Sequence, residues 1–316
     1  MPELVAIGET MAALSCSRIG PLRHAGTLEV SIAGAESTVA IGVGRLGHSA
    51  AWVGRLGDDE LGERVRMTLR AEGVQVYAVA DATAPTGLLI KERRTADQRR
   101  VHYYRAASAG AHLCIGDIPP FVVEEATVLH TSAITLALSS TAAAAVHEAV
   151  DRARSAGVTV SLDANYRRKL WPLDVFRRTV TSLLPSVDLL FASLDEAQSL
   201  LRTDATDPAE LALALREYGP GTVVITMGAD GALSASSSGI VPTSAVRVTE
   251  IDPVGAGDSF VAGYLSAVLS GKDDRDRLAA ATRVAAFSVA AQGDWEGLPT
   301  AAELLPAAES AGEISR

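Results

Sequence analysis

The stretch 252–260, with the sequence DPVGAGDSF, carries the residue types best suited to chemistry. An apolar segment that predicts a helix follows from Phe260. Backbone N–H groups at a helix N-terminus lack intrahelical partners and attract anions such as phosphate. Asp258 at the same place could accept a proton from a hydroxyl group that attacks the phosphate. The alternative is an ordinary glycine-rich loop in which Asp258 is the N-cap. The small residues of the turn are Gly255, Ala256 and Gly257.

Polar side chains follow two of the strands that the sequence predicts. Asp163, Asn165 and Arg167 come directly after one apolar run, and Ser193 and Glu196 come after the next. A guanidinium group such as that of Arg167 can hold a carboxylate or phosphate with two parallel hydrogen bonds. Glu196 could orient Mg²⁺ through water, because Mg²⁺ keeps part of its hydration shell. The alternative is a cluster of caps and salt bridges, with Ser193 and Glu196 as a capping box.

Two further groups of residues allow both a functional and a structural interpretation. Thr226, Gly228 and Gly231 lie where a strand ends, so their backbone could approach a nucleotide or form a tight turn. Tyr103 and Arg105 would point to the same side of a strand. There they could meet a small acidic ligand or pair with neighbouring strands. The chain contains neither GxxxxGKS nor GxxxxGKT, which excludes a P-loop nucleotide site.

Alternating strand-like and helical segments indicate how these residues are positioned. Short apolar runs predict strands at residues 4–8, 51–53, 128–130, 158–162, 189–191 and 223–226. Helical spacing predicts helices at residues 37–46, 61–72, 141–156, 172–184, 208–218, 260–270 and 275–292. Repeated β-then-α units form a mostly parallel sheet with helices on both faces, and ligands bind at the carboxyl ends of its strands. We therefore expect the polar residues to lie on one rim of this sheet.

Several β-like segments fall outside this alternation. Residues 28–32, 86–92 and 99–105 predict a small second sheet, with a polar turn at 93–98. Residues 232–236 and 239–241 predict another hairpin. The end of the chain, 307–316, is small and polar and is expected to fray.

Length and charge exclude several classes of protein. The 316 residues suffice for one large α/β domain, and the formal net charge of −10 argues against nucleic acid or an anionic membrane as the main partner. The N-terminus lacks the pattern of a signal peptide, and no apolar stretch is long enough to span a bilayer. Cys16 and Cys114 match no metal-binding spacing and are expected to be free thiols. We therefore expect a cytoplasmic protein with a small-molecule ligand.

The signature stretches together resemble a known family. DPVGAGDSF resembles the C-terminal signature of the ribokinase-like (PfkB) sugar kinases. The residues AGAE at 33–36, with GRLG at 44–47, resemble their N-terminal signature, and VGRLGDDELG at 53–62 is similar to the segment that follows it. The match runs in order from about residue 5 to residue 299. It implies a ribokinase-like three-layer α/β/α sandwich with a mostly parallel central sheet and a small β-sheet lid. The whole of 1–316 would be a single kinase domain, with lid strands from about 12–33 and 86–106.

Within the family, the pattern is most similar to that of the 2-keto-3-deoxygluconate kinases. The supporting residues are YYR at 103–105, the pair Asp163 and Asn165 with Arg167, and EGLP at 296–299. The resemblance implies ATP-dependent phosphorylation of a sugar or sugar-acid hydroxyl, with 2-keto-3-deoxygluconate converted to its 6-phosphate. It also implies ATP and Mg²⁺ as cofactors, a monovalent cation such as K⁺ as a further candidate, and a homodimer or higher homo-oligomer formed through the lid.

The resemblance assigns a role to each candidate residue. Asp258 would be the catalytic base, and Glu196 would organise Mg²⁺ through water. The anion hole would consist of Gly255, Ala256 and Gly257. The substrate would contact Gly34, Ala35, Thr38, Leu89, Tyr103, Arg105, Arg167 and Asp258, with the arginines binding its carboxylate. ATP would contact Asn165, Ser193, Thr226, Gly228, Gly231, Gly255 and Gly257.

Four positions depart from the family pattern. Ala33 replaces the first glycine of the N-terminal signature, and Ser193 replaces an asparagine before the magnesium-linked glutamate. Thr38 stands in place of an asparagine and Leu89 in place of a tyrosine, which removes two polar contacts to the sugar. A kinase for a neutral sugar such as fructose or ribose is therefore the nearest alternative, and a non-catalytic sugar or nucleotide sensor is the next. A dinucleotide-dependent dehydrogenase is disfavoured because no GxGxxG follows the first strand.

Overall fold

The computed structural model describes residues 1–95 and 98–305. The predicted turn at 93–98 lies partly outside these residues, and the end at 307–316 lies wholly outside them. The elements up to residue 104 are β1 (Leu4–Ile7), β2 (Met11–Ser15), β3 (Glu29–Ala33), α1 (Ala35–Arg45), β4 (Ala50–Gly57), α2 (Glu60–Ala71), β5 (Gln75–Asp81), β6 (Leu88–Arg93) and β7 (Arg99–Tyr104).

The second part of the chain continues the alternation of strands and helices. Its elements are β8 (Val128–Ser132), α3 (Ala133–Leu138), α4 (Ser140–Ala156), β9 (Thr159–Asp163), α5 (Leu173–Leu183), β10 (Leu189–Ser193), α6 (Leu194–Leu201), α7 (Pro208–Arg216), β11 (Thr222–Thr226), β12 (Ala232–Ser236), β13 (Gly239–Thr243), α8 (Ala256–Leu269), α9 (Asp274–Val289) and α10 (Ala301–Leu304).

A large sheet runs through the centre of the molecule. In the described part of the chain it has nine strands, in the order β13-β12-β11-β10-β9-β8-β1-β4-β5. The strands from β11 to β5 pair in parallel, and the hairpin of β12 and β13 joins the edge in antiparallel fashion. The predicted mostly parallel sheet and the predicted hairpin are both confirmed.

Helices cover both faces of this sheet. In β1, Leu4 and Ala6 face one hydrophobic core, while Val5 and Ile7 face the other, as the period of two along a strand requires. The first core contains residues of α1, α2, α8 and α9, and the second contains residues of α4, α5, α6 and α7. This arrangement confirms the three-layer α/β/α sandwich. None of the helices among residues 1–95 and 98–305 has the length and apolar character that crossing a membrane requires.

A small sheet lies beside the large one. Its strands, in the described residues, follow the order β3-β2-β6-β7, and only the β2–β6 pairing is parallel. The small second sheet is therefore confirmed, with one strand more than the three segments predicted outside the alternation. That strand, β2, has the sequence MAALS, which contains no alternation of polar and apolar residues. A minor core of Met11, Ala13, Ala33 and Leu89 supports the small sheet from within.

The helix that carries Asp258 begins four residues earlier than predicted. Gly255 is the N-cap of α8, with a φ of 80°, a conformation that glycine adopts without strain. A Cβ atom at this position would lie 2.3 Å from the carbonyl oxygen of Asp294, so close backbone approach also requires glycine. Asp258 therefore lies inside the first turn of the helix. The alternative in which Asp258 is the N-cap is wrong.

Candidate active site

The carboxyl ends of the parallel strands bring the predicted residues to one rim. Glu9 follows β1, Asn165 follows β9, and Gly228 follows β11. Glu196 lies in the first turn of α6, directly after β10. Since these strands run in the same direction, their ends meet at the same edge of the sheet. The expected convergence on one rim is confirmed.

An inner cleft of about 80 Å³ lies between this rim and the small sheet. All eight residues predicted to bind the substrate line it: Gly34, Ala35, Thr38, Leu89, Tyr103, Arg105, Arg167 and Asp258. The other lining side chains that carry a charge are Glu9, Glu36, Lys91 and Asp294. The cleft therefore combines a candidate base with several cations and carboxylates.

A larger apolar cleft lies on the other side of the glycine-rich turn. Its volume of about 600 Å³ falls in the range typical of small-molecule sites. The predicted ATP residues Thr226, Gly228, Gly231 and Gly257 line it, while Asn165, Ser193 and Gly255 do not. Gly255 lines the inner cleft instead, so the turn at 253–257 separates the two clefts and contributes to both.

A third, basic cleft of about 480 Å³ opens next to the inner cleft. Its charged lining consists of three cations, Arg167, Arg168 and Lys169, and two carboxylates, Asp195 and Glu196, and Ser193 lies beside them. It shares Arg167 with the inner cleft, so one guanidinium group borders both. Ser193 thus lies apart from the apolar cleft, in surroundings suited to an anion such as a phosphate chain.

Asp258 has the environment of a group that can exchange a proton near neutral pH. Burial, together with the negative charges of Glu36 and Asp294, raises its pKa to about 7. The guanidinium of Arg167 and a hydrogen bond from Asn165 oppose this rise. That bond runs from Nδ2 of Asn165 to Oδ1 of Asp258 and is 3.2 Å long. A carboxylate with such a pKa is well matched to general-base catalysis.

Glu196 forms the capping box that the sequence allows. Its carboxylate accepts hydrogen bonds from the backbone N–H groups of Ser193 (2.8 Å) and Tyr166 (2.7 Å), and the Ser193 hydroxyl accepts from the N–H of Glu196. Residues 1–95 and 98–305 contain no group of three or more His, Cys, Asp or Glu side chains arranged to hold a metal ion. The oxygen ligands of Glu196 suit Mg²⁺, which tolerates a few protein contacts and several waters. Its water-mediated contact with Mg²⁺ stays a prediction.

Arg105 is held by a partner that the sequence does not reveal. Its Nε donates to the Glu9 carboxylate over 2.7 Å, and its Nη2 forms a second contact with the same group. The Ser108 hydroxyl also donates to Glu9. Glu9 and Arg105 are both buried, at 2% and 8% exposure, so this is an ion pair inside the protein. Arg105 is therefore not a freely available ligand for a carboxylate, and Arg167 is left as the better candidate.

Lys91 and Asp294 form a second ion pair in the inner cleft. Nζ of Lys91 lies 2.5 Å from Oδ1 of Asp294, which joins β6 of the small sheet to the loop after α9. Neither residue was among the candidates. The sequence could have indicated Lys91 as a cleft residue, because it lies two residues from Leu89 on the same face of a strand. Asp294 lies in an irregular loop without any periodic pattern, and only its place in the fold reveals it.

The two positions that depart from the family pattern form part of the cleft wall. Thr38 is 1% exposed and lies in the first turns of α1. Leu89 is 4% exposed and packs with the other apolar residues of the small sheet. Leu89 therefore offers no hydrogen bond to a sugar, and polar contacts on this side would come from neighbouring lining residues such as Thr38 and Tyr103.

Comparison with known proteins identifies the family to which this site belongs. Residues 1–301 match the model of the pfkB family carbohydrate kinases. The chain belongs to this family. It is therefore an ATP-dependent carbohydrate kinase, which confirms the predicted enzyme class and argues against a non-catalytic sensor.

Individual relatives agree with this assignment. The chain is 38% identical to a 2-dehydro-3-deoxygluconokinase of Thermoproteus tenax, over 97% of this chain and 95% of that protein. It is 36% identical to a 2-dehydro-3-deoxygalactonokinase of Haloferax volcanii, over 92% of each chain. Among solved structures, a 2-dehydro-3-deoxygluconokinase of Thermotoga maritima superposes with a TM-score of 0.88 at 25% identity, over 94% of this chain and 95% of that chain. The predicted resemblance to the 2-keto-3-deoxygluconate kinases is confirmed.

Proposed function

We propose that the chain transfers the γ-phosphoryl group of ATP to a hydroxyl of a sugar acid, with 2-keto-3-deoxygluconate as the favoured substrate and its 6-phosphate as product. The observation that carries this proposal is the position of Arg167. Its guanidinium group borders the inner cleft, its charge acts on Asp258, and among the described residues it forms no salt bridge. An unpaired cation beside the base is suited to a substrate with a carboxylate.

The other two cations of the cleft are already neutralised. Arg105 is paired with Glu9, and Lys91 is paired with Asp294. A neutral sugar would leave Arg167 without an anion, whereas the carboxylate of a sugar acid could bind it through two parallel hydrogen bonds. This difference favours the sugar acid over fructose or ribose.

The adenosine part of ATP fits the apolar cleft. Its glycine-rich wall allows close approach of the backbone, and Phe260 and Val289 add apolar surface. The triphosphate would then extend past Gly257 towards the basic cleft, with Ser193 and Asn165 near its path. Mg²⁺, when bound, neutralises the phosphate oxygens, and Glu196 would hold one of its waters.

Asp258 acts as the general base in this proposal. Its carboxylate accepts the proton of the substrate hydroxyl as the oxygen attacks the γ-phosphorus and ADP leaves. The N–H groups of Gly255 and Gly257 would face the developing charge at the start of α8, where the helix dipole adds partial positive charge. The N–H of Ala256 donates to the Pro253 carbonyl over 3.3 Å and would have to leave it to join them. The small sheet serves as a lid that excludes water during the transfer.

The same site must also accept or reject the galactonate epimer of the proposed substrate. Relatives at similar identity bear the names of a gluconokinase and a galactonokinase for the 2-dehydro-3-deoxy acids. Both acids carry the carboxylate that Arg167 would bind. We propose that the chain accepts the galactonate epimer as a second substrate.

Replacement of Arg167 tests the proposal. We expect Arg167→Ala to raise KM for 2-keto-3-deoxygluconate by roughly 10-fold to 100-fold, the value of a charge-assisted hydrogen-bond pair, and to change KM for fructose little. Arg178→Ala is the matched control, because Arg178 is exposed on α5 and lines none of the three clefts. Equal effects of Arg167→Ala on the acid and on the neutral sugar would contradict the proposal.

Three further properties follow from the resemblance and remain proposals. A monovalent cation such as K⁺ would assist the reaction, and the protein would act in the cytoplasm. A homo-oligomer would form through the small sheet, where Val30 and Tyr104 are 40% and 60% exposed. Such exposed apolar side chains support a contact with a second copy of the chain.

A further inference from the structure

We propose that Asp163 is a positioning residue that fixes the amide of Asn165 against the base, Asp258. This inference rests on the proposed function, because it assigns a support to the group that takes the substrate proton. Asn165 then has a role beyond any contact with ATP: it sets the orientation of the Asp258 carboxylate.

The two amide hydrogens of Asn165 serve two different carboxyl groups. Nδ2 lies 3.0 Å from Oδ2 of Asp163 and 3.2 Å from Oδ1 of Asp258. An amide nitrogen has two hydrogens, so both are used, and the amide cannot turn without losing one bond. The backbone N–H of Asn165 also donates to Asp163, over 3.3 Å. Asp163 thus holds Asn165 at two atoms.

The backbone at Asn165 is strained to make this arrangement. Its φ is 32°, at a positive value that asparagine adopts more often than most side chains but less readily than glycine. Such strain persists only where the surroundings hold it, and it occurs often at functional sites. Asp163 and Asn165 are 9% and 8% exposed, so water cannot replace the bonds between them. The bonds to Asp163 therefore stabilise this conformation of Asn165.

The charges around the bridge explain why an amide occupies the middle position. Asp163 faces Glu196, Asp258 and Arg167, and Asp258 faces Arg167, Glu36 and Asp294. Burial, with the charges of Glu196 and Asp258, raises the pKa of Asp163 well above its usual value. Two carboxyl groups in direct contact would share a proton. Because Asn165 lies between them, Asp258 remains free to accept its proton from the substrate.

Variants at Asp163 distinguish its role as a hydrogen-bond acceptor for Asn165 from the effect of its negative charge. The amide introduced by Asp163→Asn resembles a protonated carboxyl group in shape and keeps an oxygen that accepts from Asn165. We therefore expect Asp163→Asn to retain kcat within about fivefold, since the bridge survives. Asp163→Ala removes the acceptor, and we expect kcat to fall by roughly 10-fold to 100-fold with KM for both substrates little changed. Thermal unfolding shows which variants are folded.

The pH profile gives a readout that a purely structural role would not move. The bond from Asn165 lowers the pKa of Asp258, so its loss moves the acid limb of kcat/KM to higher pH. We expect this shift in Asn165→Ala and in Asp163→Ala, but not in Asp163→Asn. We also expect the double variant Asp163→Ala/Asn165→Ala to be no slower than Asn165→Ala, because the two residues act through one contact.

The opposite results would overturn the inference. One is an equal fall in kcat in Asp163→Asn and Asp163→Ala. Another is a double variant whose fall in kcat equals the sum of the two single effects. The third is an acid limb of kcat/KM that does not move in Asn165→Ala. If Asp163→Ala does not fold, the comparison of Asp163→Asn with Asn165→Ala decides by the same criteria. Failure of the proposed function has a different signature: Asp258→Asn would then keep its turnover, whereas the inference can fail while Asp258→Asn is inactive.

Discussion

Asp258 depends on its neighbours for its proposed chemistry. A carboxylate in water has a pKa near 4 and is a weak base. In this protein burial and two nearby carboxylates raise the pKa of Asp258 to about 7, while Arg167 and Asn165 limit the rise. The group is therefore a stronger base than a free aspartate and is still ionised above neutral pH. Two predictions at the residue scale follow.

Removal of the carboxylate should abolish phosphoryl transfer. We expect Asp258→Asn to lower kcat by about 10²-fold to 10⁴-fold, the range that positioned bases contribute. ATP binding, measured by calorimetry, should persist, because neutralising an acid removes repulsion with the phosphates. Asp276→Asn, an exposed position on α9, is the control. Substantial turnover in Asp258→Asn would refute the role of this residue as the base.

The activity should depend on pH in the way that a raised pKa requires. Asp258 must be ionised to accept a proton, so kcat/KM should fall about tenfold per pH unit below the pKa of about 7 and level off above it. Arg167→Ala should move this limb to higher pH, since the cation that favours the ionised form is lost. Steady-state kinetics between pH 5 and pH 9 measures both. A kcat/KM of the wild type that stays level from pH 9 down to pH 5 would contradict the expectation.

At the scale of elements, the pair of Glu9 and Arg105 joins the small sheet to the large one. Glu9 lies between β1 and β2, and Arg105 directly follows β7. Loss of one partner leaves a buried charge without compensation. We expect Glu9→Gln to lower the free energy of unfolding by about 3–5 kcal/mol. Urea denaturation at pH 7 measures the change.

Two comparisons complete this experiment. The double variant Glu9→Gln/Arg105→Gln should be less destabilised than Glu9→Gln, because no charge is left unpaired. Asp174→Asn, which disrupts an exposed pair with Arg177, should cost less than about 1 kcal/mol. A cost for Glu9→Gln as small as that for Asp174→Asn would show that the buried pair does not link the two sheets.

The regular elements were predictable because local patterns specify them. Apolar runs located most strands of the large sheet, and the signature motifs located the residues of the inner cleft. The strand β5 was missed although residues 76–80 form a short apolar run, and the structure leaves most of these residues half-exposed at the edge of the sheet. The pairing of Glu9 with Arg105 could not be predicted, since it joins residues 96 positions apart through the fold. The bridge through Asn165 likewise joins Asp163 to Asp258, 95 positions apart, through a turn with positive φ that the sequence pattern did not specify.

At the scale of the whole molecule, the small sheet closes the inner cleft. Its volume of about 80 Å³ is below the range typical of ligand sites, so we expect the small sheet of the ligand-free enzyme to move away from this position in solution and to close again over a bound sugar acid. Trp295 can report this motion, because its indole N–H donates to the carbonyl of Ile32 in β3 over 3.2 Å. Opening would break this bond and expose the ring to water.

We therefore expect the fluorescence of Trp295 to depend on ligands. A sugar acid with a non-hydrolysable ATP analogue should shift the emission of the ligand-free enzyme towards shorter wavelength. Trp295→Phe should abolish the shift. Trp171→Phe should retain it, since Trp171 packs against Phe176 in the core that contains α4 to α7. A shift that survives in Trp295→Phe would argue against movement of the small sheet.

The central claim is that this kinase selects a sugar acid through Arg167 and phosphorylates it with Asp258 as the base. The most direct measurement is ADP formation, coupled to a spectrophotometric assay, with 2-keto-3-deoxygluconate, fructose and ribose compared side by side. We predict that kcat/KM for the acid exceeds that for either neutral sugar by roughly 10-fold to 100-fold, the contribution of a charge-assisted contact. An equal or higher kcat/KM for fructose or ribose would contradict the claim.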